Sequence, residues 1–252
     1  VMNIRDLGKR FIQFAVETEI IKRDIVKNKL GTDPAFDLVC HHLYRSAQFF
    51  RIRFIEPDHE NIYRIYNEFN GPELEQWTSF PAPFASILKE NYPEIEKVAR
   101  LIPYDWFDAG SNLVRRDDED QNNFEEGFAY ADPDLLEILE IPLIYGSRKH
   151  ALSKPNTIVL SRRKAEQYFP GQDPTGKLII LNDNKGNPFT VGGVMENFPK
   201  TSHLQFDFLI TLTEKEFWEG EQTSWCCWNY NPYVKLRPGT DPVEFERKML
   251  AV

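Results

Sequence analysis

Between Phe128 and Phe208 the apolar runs are closed at regular intervals by Gly, Pro or Asn clusters, in the order FAYADPDLLEILEIPLIYG, PNTIVLSRRKAEQYFPGQDPTGKLIIL and FTVGGVMENFPKTSHLQFDF. This punctuation predicts a compact α+β unit. Asp132 is suited to cap a helix and Pro133 to its first position, with Leu135, Leu136, Ile138 and Leu139 on one face. The spacing predicts a short helix to about Glu140, stopped by Pro142 and Gly146. Thr157 to Leu160 reads as a strand, and Ser161 caps a helix whose Ala165, Tyr168 and Phe169 share a face before Pro170-Gly171 ends it. Lys177 to Leu181 and Phe189 to Met195 predict a hairpin around the turn-forming run Asn182 to Asn187.

The flanks are less regular. Ile62 to Phe69 reads as a strand ended by Gly71-Pro72, and Pro81 to Asn91 as a helix burying Phe84, Ile87 and Leu88. After Pro93, Ile95 to Ile102 completes a βαβ-like unit. Between Tyr104 and Gly127, the acidic run Asp117 to Asp120 with Asn122-Asn123 marks an exposed hairpin tip or loop. Leu204, Phe206, Phe208, Ile210 and Leu212 alternate with mostly polar neighbours over the longest strand-like run, which predicts a strand with one face in the core. Glu214 to Glu219 suggests a helical turn, and Tyr233 to Arg237 a strand. Asp241, Pro242 and Glu244 form a near capping box for a helix carrying Phe245, Met249 and Leu250. At the other end Ile4, Leu7, Phe11, Phe14, Ile21 and Ile25 recur at helical spacing, which predicts an amphipathic helix ending near Gly31, with a second helix after Asp33-Pro34.

A set of short motifs occurs here in a familiar order. It comprises Tyr130-Ala131-Asp132-Pro133, Ile141-Pro142-Leu143 with Gly146, Val159-Leu160-Ser161, Tyr168-Phe169 and Asp173-Pro174-Thr175-Gly176-Lys177. Val191-Gly192-Gly193-Val194, Asn197-Phe198-Pro199, Ser202-His203 and Phe206-Asp207-Phe208 continue it. With Glu60-Asn61-Ile62-Tyr63-Arg64-Ile65-Tyr66 upstream and Tyr233-Val234-Lys235-Leu236 downstream, the chain resembles the periplasmic core domain of MacB/FtsX-type ABC transporter permeases from about Asp58 onward. The resemblance implies an α+β, two-lobed mixed domain over 58–252, a βαβ-type lobe built from both flanks with a smaller α+β lobe inserted at about 104–202. It implies a non-catalytic domain on the periplasmic side of a bacterial inner membrane. A cytoplasmic ABC ATPase would drive it as part of a permease dimer, moving a substrate or acting on a periplasmic adaptor. In that family the residues ahead of Glu60 are a transmembrane helix, whereas here LVCHHLYRSAQFFRIRF cannot cross a bilayer. Residues 1–57 therefore form either a soluble replacement of the span or, ahead of residue 54, the product of a shifted reading frame.

Composition narrows the partners. A net charge of −9 and a pI near 5.2 argue against nucleic acid, which needs a basic surface. No run of eighteen apolar residues exists, and the first residues lack the basic start and apolar core of a signal peptide. Cys40, Cys226 and Cys227 are too few for a disulfide framework; a bridge between the adjacent pair would be strained, and buried or idle thiols are the default.

The residues with chemical potential mostly have structural explanations. Gly171 to Lys177 matches G-x-x-x-x-G-K, but a helix precedes it, a β-run follows it, Leu178 stands where Ser or Thr would hold magnesium, and Pro174 removes a donor. A helix-to-strand turn is expected, and no cofactor. Cys40-His41-His42 cannot converge on one ion from successive helical positions. His59, His150 and His203 stand alone, and Asp117 to Asp120 lacks the glycine of a calcium loop at position 122. No metal site and no catalytic residue is expected. Phe217, Trp218, Trp225, Trp228, Tyr230 and Tyr233 are dense enough to be core, and Trp225, Trp228, Tyr230 and Tyr233 are the candidates for a partner interface. Two other functions fit the same residues: a free-standing binding module of this fold capped by residues 1–57, and a hydrolase using His203 with a neighbouring Ser or Asp.

Overall fold

A computed structural model describes residues 49–54, 61–70, 74–103 and 109–250. The two helices expected before residue 49, Cys40-His41-His42 and His59 lie outside the described residues. In chain order the elements are β1 (Phe49–Phe54), β2 (Ile62–Asn70), β3 (Leu74–Trp77), α1 (Phe84–Asn91), β4 (Ile95–Ile102), β5 (Gly110–Arg116), β6 (Asn123–Ala131) and α2 (Leu135–Ile138). They continue with β7 (Leu143–Tyr145), β8 (Thr157–Ser161), α3 (Arg162–Tyr168), β9 (Leu178–Leu181), β10 (Phe189–Met195), β11 (Phe208–Thr211), a 3-10 turn (Glu221–Thr223), β12 (Asn231–Leu236) and α4 (Pro242–Leu250).

Among the described residues all twelve strands belong to one hydrogen-bonded sheet, and half of it closes on itself. The order β6-β11-β8-β10-β9-β5 returns to β6 through the β5–β6 hairpin, so six strands form a ring. Alternation across the pleat then decides the packing. Phe128 and Tyr130 of β6, Ile158 and Leu160 of β8, and Phe208 and Ile210 of β11 fill the ring. Ala129, Ala131, Val159 and Leu209 between them face outward onto α2. Phe128 and Phe208 stack in the interior with centroids 4.1 Å apart.

The remainder of the sheet is open and runs β6-β4-β12-β2-β1, with β3 on β2. β2 and β4 each pair antiparallel with β12, so they are parallel to each other and the βαβ unit is split by a strand from the far end of the chain. One face of this part packs with α2. The other packs beneath Phe84 and Leu88 of α1 and Phe245 and Met249 of α4. A split unit of this kind needs both flanks of the chain before its core can form.

The mixed α/β architecture, the β2 and β4 strands, the β9–β10 hairpin and the Ser161 cap agree with the sequence pattern; Ser161 Oγ accepts from the Lys164 N–H at 3.4 Å. The Asp241 cap is likewise present, accepting from the Val243 N–H at 2.8 Å. Four expectations need correction. The helix expected from Asp132 to Glu140 is only Leu135–Ile138, because the Asp132 carboxylate is taken by Arg100 and Glu140 turns to φ +51°. The alternating run Leu204 to Leu212 forms a ladder only over Phe208–Thr211. Gln205 and Ser202 divert its first half into a turn, and β11, wedged between β6 and β8, is buried on both faces. The helical turn lies at Glu221–Thr223 rather than 214–219, since Glu214 and Gly220 both adopt positive φ. Ile87 is only half-buried, and Ala85 joins Phe84 and Leu88 in the buried face of α1.

Candidate partner-contact face

The connection from β11 to β12 carries most of the aromatic residues expected to meet a partner, and buried polar groups hold it to the sheet. It leaves β11 where the Thr211 and Thr213 hydroxyls both donate to the Leu152 carbonyl, at 2.6 and 3.0 Å. Glu221, 1% exposed, then acts as a two-sided acceptor: Oε1 takes the Tyr230 hydroxyl at 2.7 Å and Oε2 the Phe217 N–H at 2.8 Å. Tyr230 also exchanges two backbone hydrogen bonds with Phe80, 2.8 and 3.1 Å. Burial, with the hydrogen bond to Glu221 and its charge, pushes the Tyr230 phenol far above its ordinary value, so this hydroxyl is a fixed donor.

Arg100 on β4 is the second anchor. Its guanidinium lies 4.8 Å from the Tyr230 ring centroid and donates from Nη1 to Gln222 at 2.6 Å and to the Ala82 carbonyl at 3.2 Å. Its other side meets Asp132, with Nε at 2.8 Å from one oxygen and Nη2 at 3.0 Å from the other. The Arg100 backbone N–H adds a third bond to the same carboxylate at 2.8 Å. Burial disfavours the Arg100 charge, and the Asp132 carboxylate together with Tyr230 and Glu221 more than offsets this, leaving the guanidinium above its ordinary value. An open cleft of about 560 Å³ runs past Arg100, Asp132, Glu214, Lys215 and Gln222. The half-buried Arg100 and Asp132 charges are consumed in the pair, so they serve to hold the connection down.

Of the four predicted interface residues, the structure separates two from two. Tyr230 and Tyr233 are 1% and 0% exposed, the first packed with the core that fills the ring and beneath Arg100, the second under Arg64 on the outer core. Their rings are not offered to solvent. Trp225 and Trp228 are half-buried and lean on the core beneath α1 and α4. Trp228 meets Trp77 of β3 edge to face, centroids 6.3 Å apart, and Trp77 is 50% exposed. The surface of this region is thus Trp77, Trp225 and Trp228. Trp77 lies in a short strand just past Gly71-Pro72, where the sequence pattern gives no element. Arg100, Glu221 and Gln222 carry no local sequence sign of burial, and Asp132 reads in the sequence as a helix cap rather than as an ion-pair partner.

The other motifs behave as turns. The acidic run tips the β5–β6 hairpin, where Asp118 takes Arg116 in a bidentate pair at 2.7 Å. The Gly171 to Lys177 loop follows α3 and feeds β9; its Gly176 N–H is given to the Val191 carbonyl at 2.8 Å and Lys177 to Gln172 at 2.7 Å. Ser202 Oγ accepts from the Leu204 N–H at 3.1 Å, and His150 and His203 are exposed. Among the described residues no group of three or more His, Cys, Asp or Glu side chains is arranged to hold a metal ion.

With this geometry in place, the comparison with known families is decisive. The MacB-like periplasmic core domain model matches residues 43–252. This chain belongs to the MacB-like periplasmic core domain family. The match begins ahead of Asp58 and takes in β1. A domain of a protein designated a permease, from Porphyromonas gingivalis, is similar at a TM-score of 0.62 and 25% identity, over 77% of this chain and 83% of that one. The periplasmic region of MacB from Actinobacillus actinomycetemcomitans is similar at 0.53 and 14%, over 76% and 81%, a likeness of fold. A search of curated proteins finds no match. As a MacB-like periplasmic core domain, the chain is the extracytoplasmic domain of a permease type that works with an ABC ATPase. Among the described residues no helix is long and apolar enough to cross a membrane.

Proposed function

We propose that this domain transmits motion driven by the partner ATPase to a substrate or partner on the outer face of the inner membrane, and performs no bond chemistry itself. The observation that carries this reading is the path of the chain through the open sheet. β1 at one end and α4 at the other lie against each other, and β12 inserts between β2 and β4. Membrane helices joined to these two ends would pull on neighbouring elements of one sheet. Displacement of either end relative to the other loads the β12 ladders directly, and packed sheets move as rigid lobes. The division into a flank-built lobe and an inserted lobe at about 104–202 gives the motion two bodies. The closed ring, built from β5, β6, β8, β9 and β10 of that stretch and completed by β11 just beyond it, supplies a stiff inserted one.

In the same reading Trp77, Trp225 and Trp228 form the contact face toward a second permease copy or a periplasmic adaptor, since half-buried Trp held on a rigid frame suits an interface. The acidic β5–β6 tip is a second contact surface. The test is to tag the chromosomal gene product and fractionate the cell. Recovery in the inner membrane, in complex with an ATP-hydrolysing subunit and with these residues open to protease only from outside, is expected. Recovery of the product as a soluble protein without that subunit overturns the reading in favour of a binding module.

A further inference from the structure

The Trp-bearing segment contains a feature that the motion-transmitting role does not use. Cys226 and Cys227, adjacent in sequence and both half-buried, hold their sulfur atoms 2.8 Å apart. Neighbouring side chains of an extended or helical segment point away from each other; here they converge because Cys227 adopts φ +67°, a conformation that side-chain-bearing residues rarely enter. The Cys226 N–H is fixed on Ser224 Oγ at 3.2 Å, and Asn229 and Tyr230 just beyond are buried. The backbone on both sides of the pair is therefore held in the shape that brings the thiols together.

We propose that Cys226 and Cys227 are a redox-active vicinal pair, oxidised reversibly to an intrachain disulfide by a protein or small-molecule disulfide. One thiolate attacks a sulfur of the oxidant to give a mixed disulfide and release one thiol of the oxidant. The second cysteine, as thiolate, then displaces the other oxidant thiol. In total two S–H bonds of the domain are exchanged for one S–S bond, two electrons pass to the oxidant, and the oxidant leaves as two thiols. The extracytoplasmic compartment of the family is oxidising, which supplies such disulfides. Adjacent cysteines have Cα atoms about 3.8 Å apart across a trans peptide, short of the usual disulfide range, so the bond is strained and easily reduced again. Closure fixes the turn between Trp225 and Trp228. The inference rests on the sulfur geometry and the backbone around it, and stands whether or not that face meets a partner.

The experiment uses the full chain as a Cys40→Ser variant, so that Cys226 and Cys227 are its only thiols. It is reduced, exposed to glutathione disulfide, blocked with N-ethylmaleimide and digested with trypsin, and the peptide from Glu216 to Lys235 is weighed. The expected result is a peptide two hydrogens lighter with no label, which takes two labels after dithiothreitol. Closure in the native protein should be at least tenfold faster than in the urea-unfolded chain, and Trp fluorescence should change on oxidation and recover on reduction. A peptide that keeps two labels, one that stops at a glutathione adduct, or closure no faster in the native state than in urea overturns the proposal. The same treatment of the unsubstituted chain gives a second reading: a bridge from Cys40 to either residue overturns it as well.

Discussion

Replacing Gly192 by Ala isolates a single steric requirement of this fold. Gly192 sits at the irregularity in β10 where pairing with β8 shifts between Val191 and Gly193. A Cβ there would lie 1.8 Å from the Ala151 carbonyl oxygen and 2.8 Å from its carbon, where real Cβ contacts stay beyond 3.0 Å. The crossing segment would have to retreat by more than about 1 Å, and it cannot do so alone. Ala151 and Leu152 are 0% exposed, and the Leu152 carbonyl accepts both threonine hydroxyls at the end of β11. Overpacking of this kind costs about 1–3 kcal/mol, and losing one or two hydrogen bonds adds about 1 kcal/mol each, so a net loss of roughly 3 kcal/mol is expected. Urea unfolding followed by Trp fluorescence reads this as a midpoint lowered by about 1–2 M, since slopes for chains of this size lie near 2–3 kcal/mol/M. Two controls bracket it. Gly186→Ala, which meets only a side-chain oxygen at 3.6 Å, should be neutral. Gly171→Ala meets nothing within 4 Å but sits at φ +64°, and should cost about 1 kcal/mol from backbone strain alone. A Gly192→Ala midpoint indistinguishable from that of Gly186→Ala would refute the argument that the Ala151 crossing dictates glycine.

Asp132→Ala removes the carboxylate from the half-buried Arg100 guanidinium, whose side chain is 14% exposed, and should destabilise by about 1–3 kcal/mol in thermal or urea unfolding; a loss under about 0.5 kcal/mol would show that the pair is not an anchor. Tyr168 and Tyr230 are both held above the ordinary phenol value of 10.0, chiefly by burial and then by Glu125 and Glu221. A raised acid pKa favours the neutral native form, so this stability is fully present below pH 10 and is lost as pH rises beyond it, by about 1.4 kcal/mol per pH unit for each tyrosine. Urea midpoints at pH 9 to 11 should fall accordingly, and Tyr168→Phe should make the slope shallower, with Tyr63 and Tyr92, also raised by burial, contributing to what remains; a flat profile contradicts the burial of these hydroxyls. Phe208→Ala opens the ring interior at a position 0% exposed and should cost about 3–5 kcal/mol, whereas Leu113→Ala, 40% exposed, should cost under about 1 kcal/mol; equal effects in the same assay would mean that the ring is not a core.

Local elements were largely legible in the chain because caps, turns and short apolar runs are local physics. Ser161 and Asp241 cap helices from their own side chains, and the Asn182 to Asn187 cluster closes the β9–β10 hairpin with positive φ at Asn182 and Asp183. The ordered motifs likewise carried the family, whose model then matched residues 43–252. Tertiary structure alone decided which faces those elements bury. Phe208 to Thr211 reads as a one-faced strand until β6 and β8 enclose it, and Tyr230 and Tyr233 remain candidates for core or interface until Arg100 covers the first and Arg64 the second. Asp132 has the sequence of a helix cap and the position of an ion-pair partner, since Arg100 reaches it from a strand thirty-two residues earlier. Such choices depend on groups distant in sequence meeting across a split sheet, where burial makes an unpaired charge more costly than an uncapped helix end.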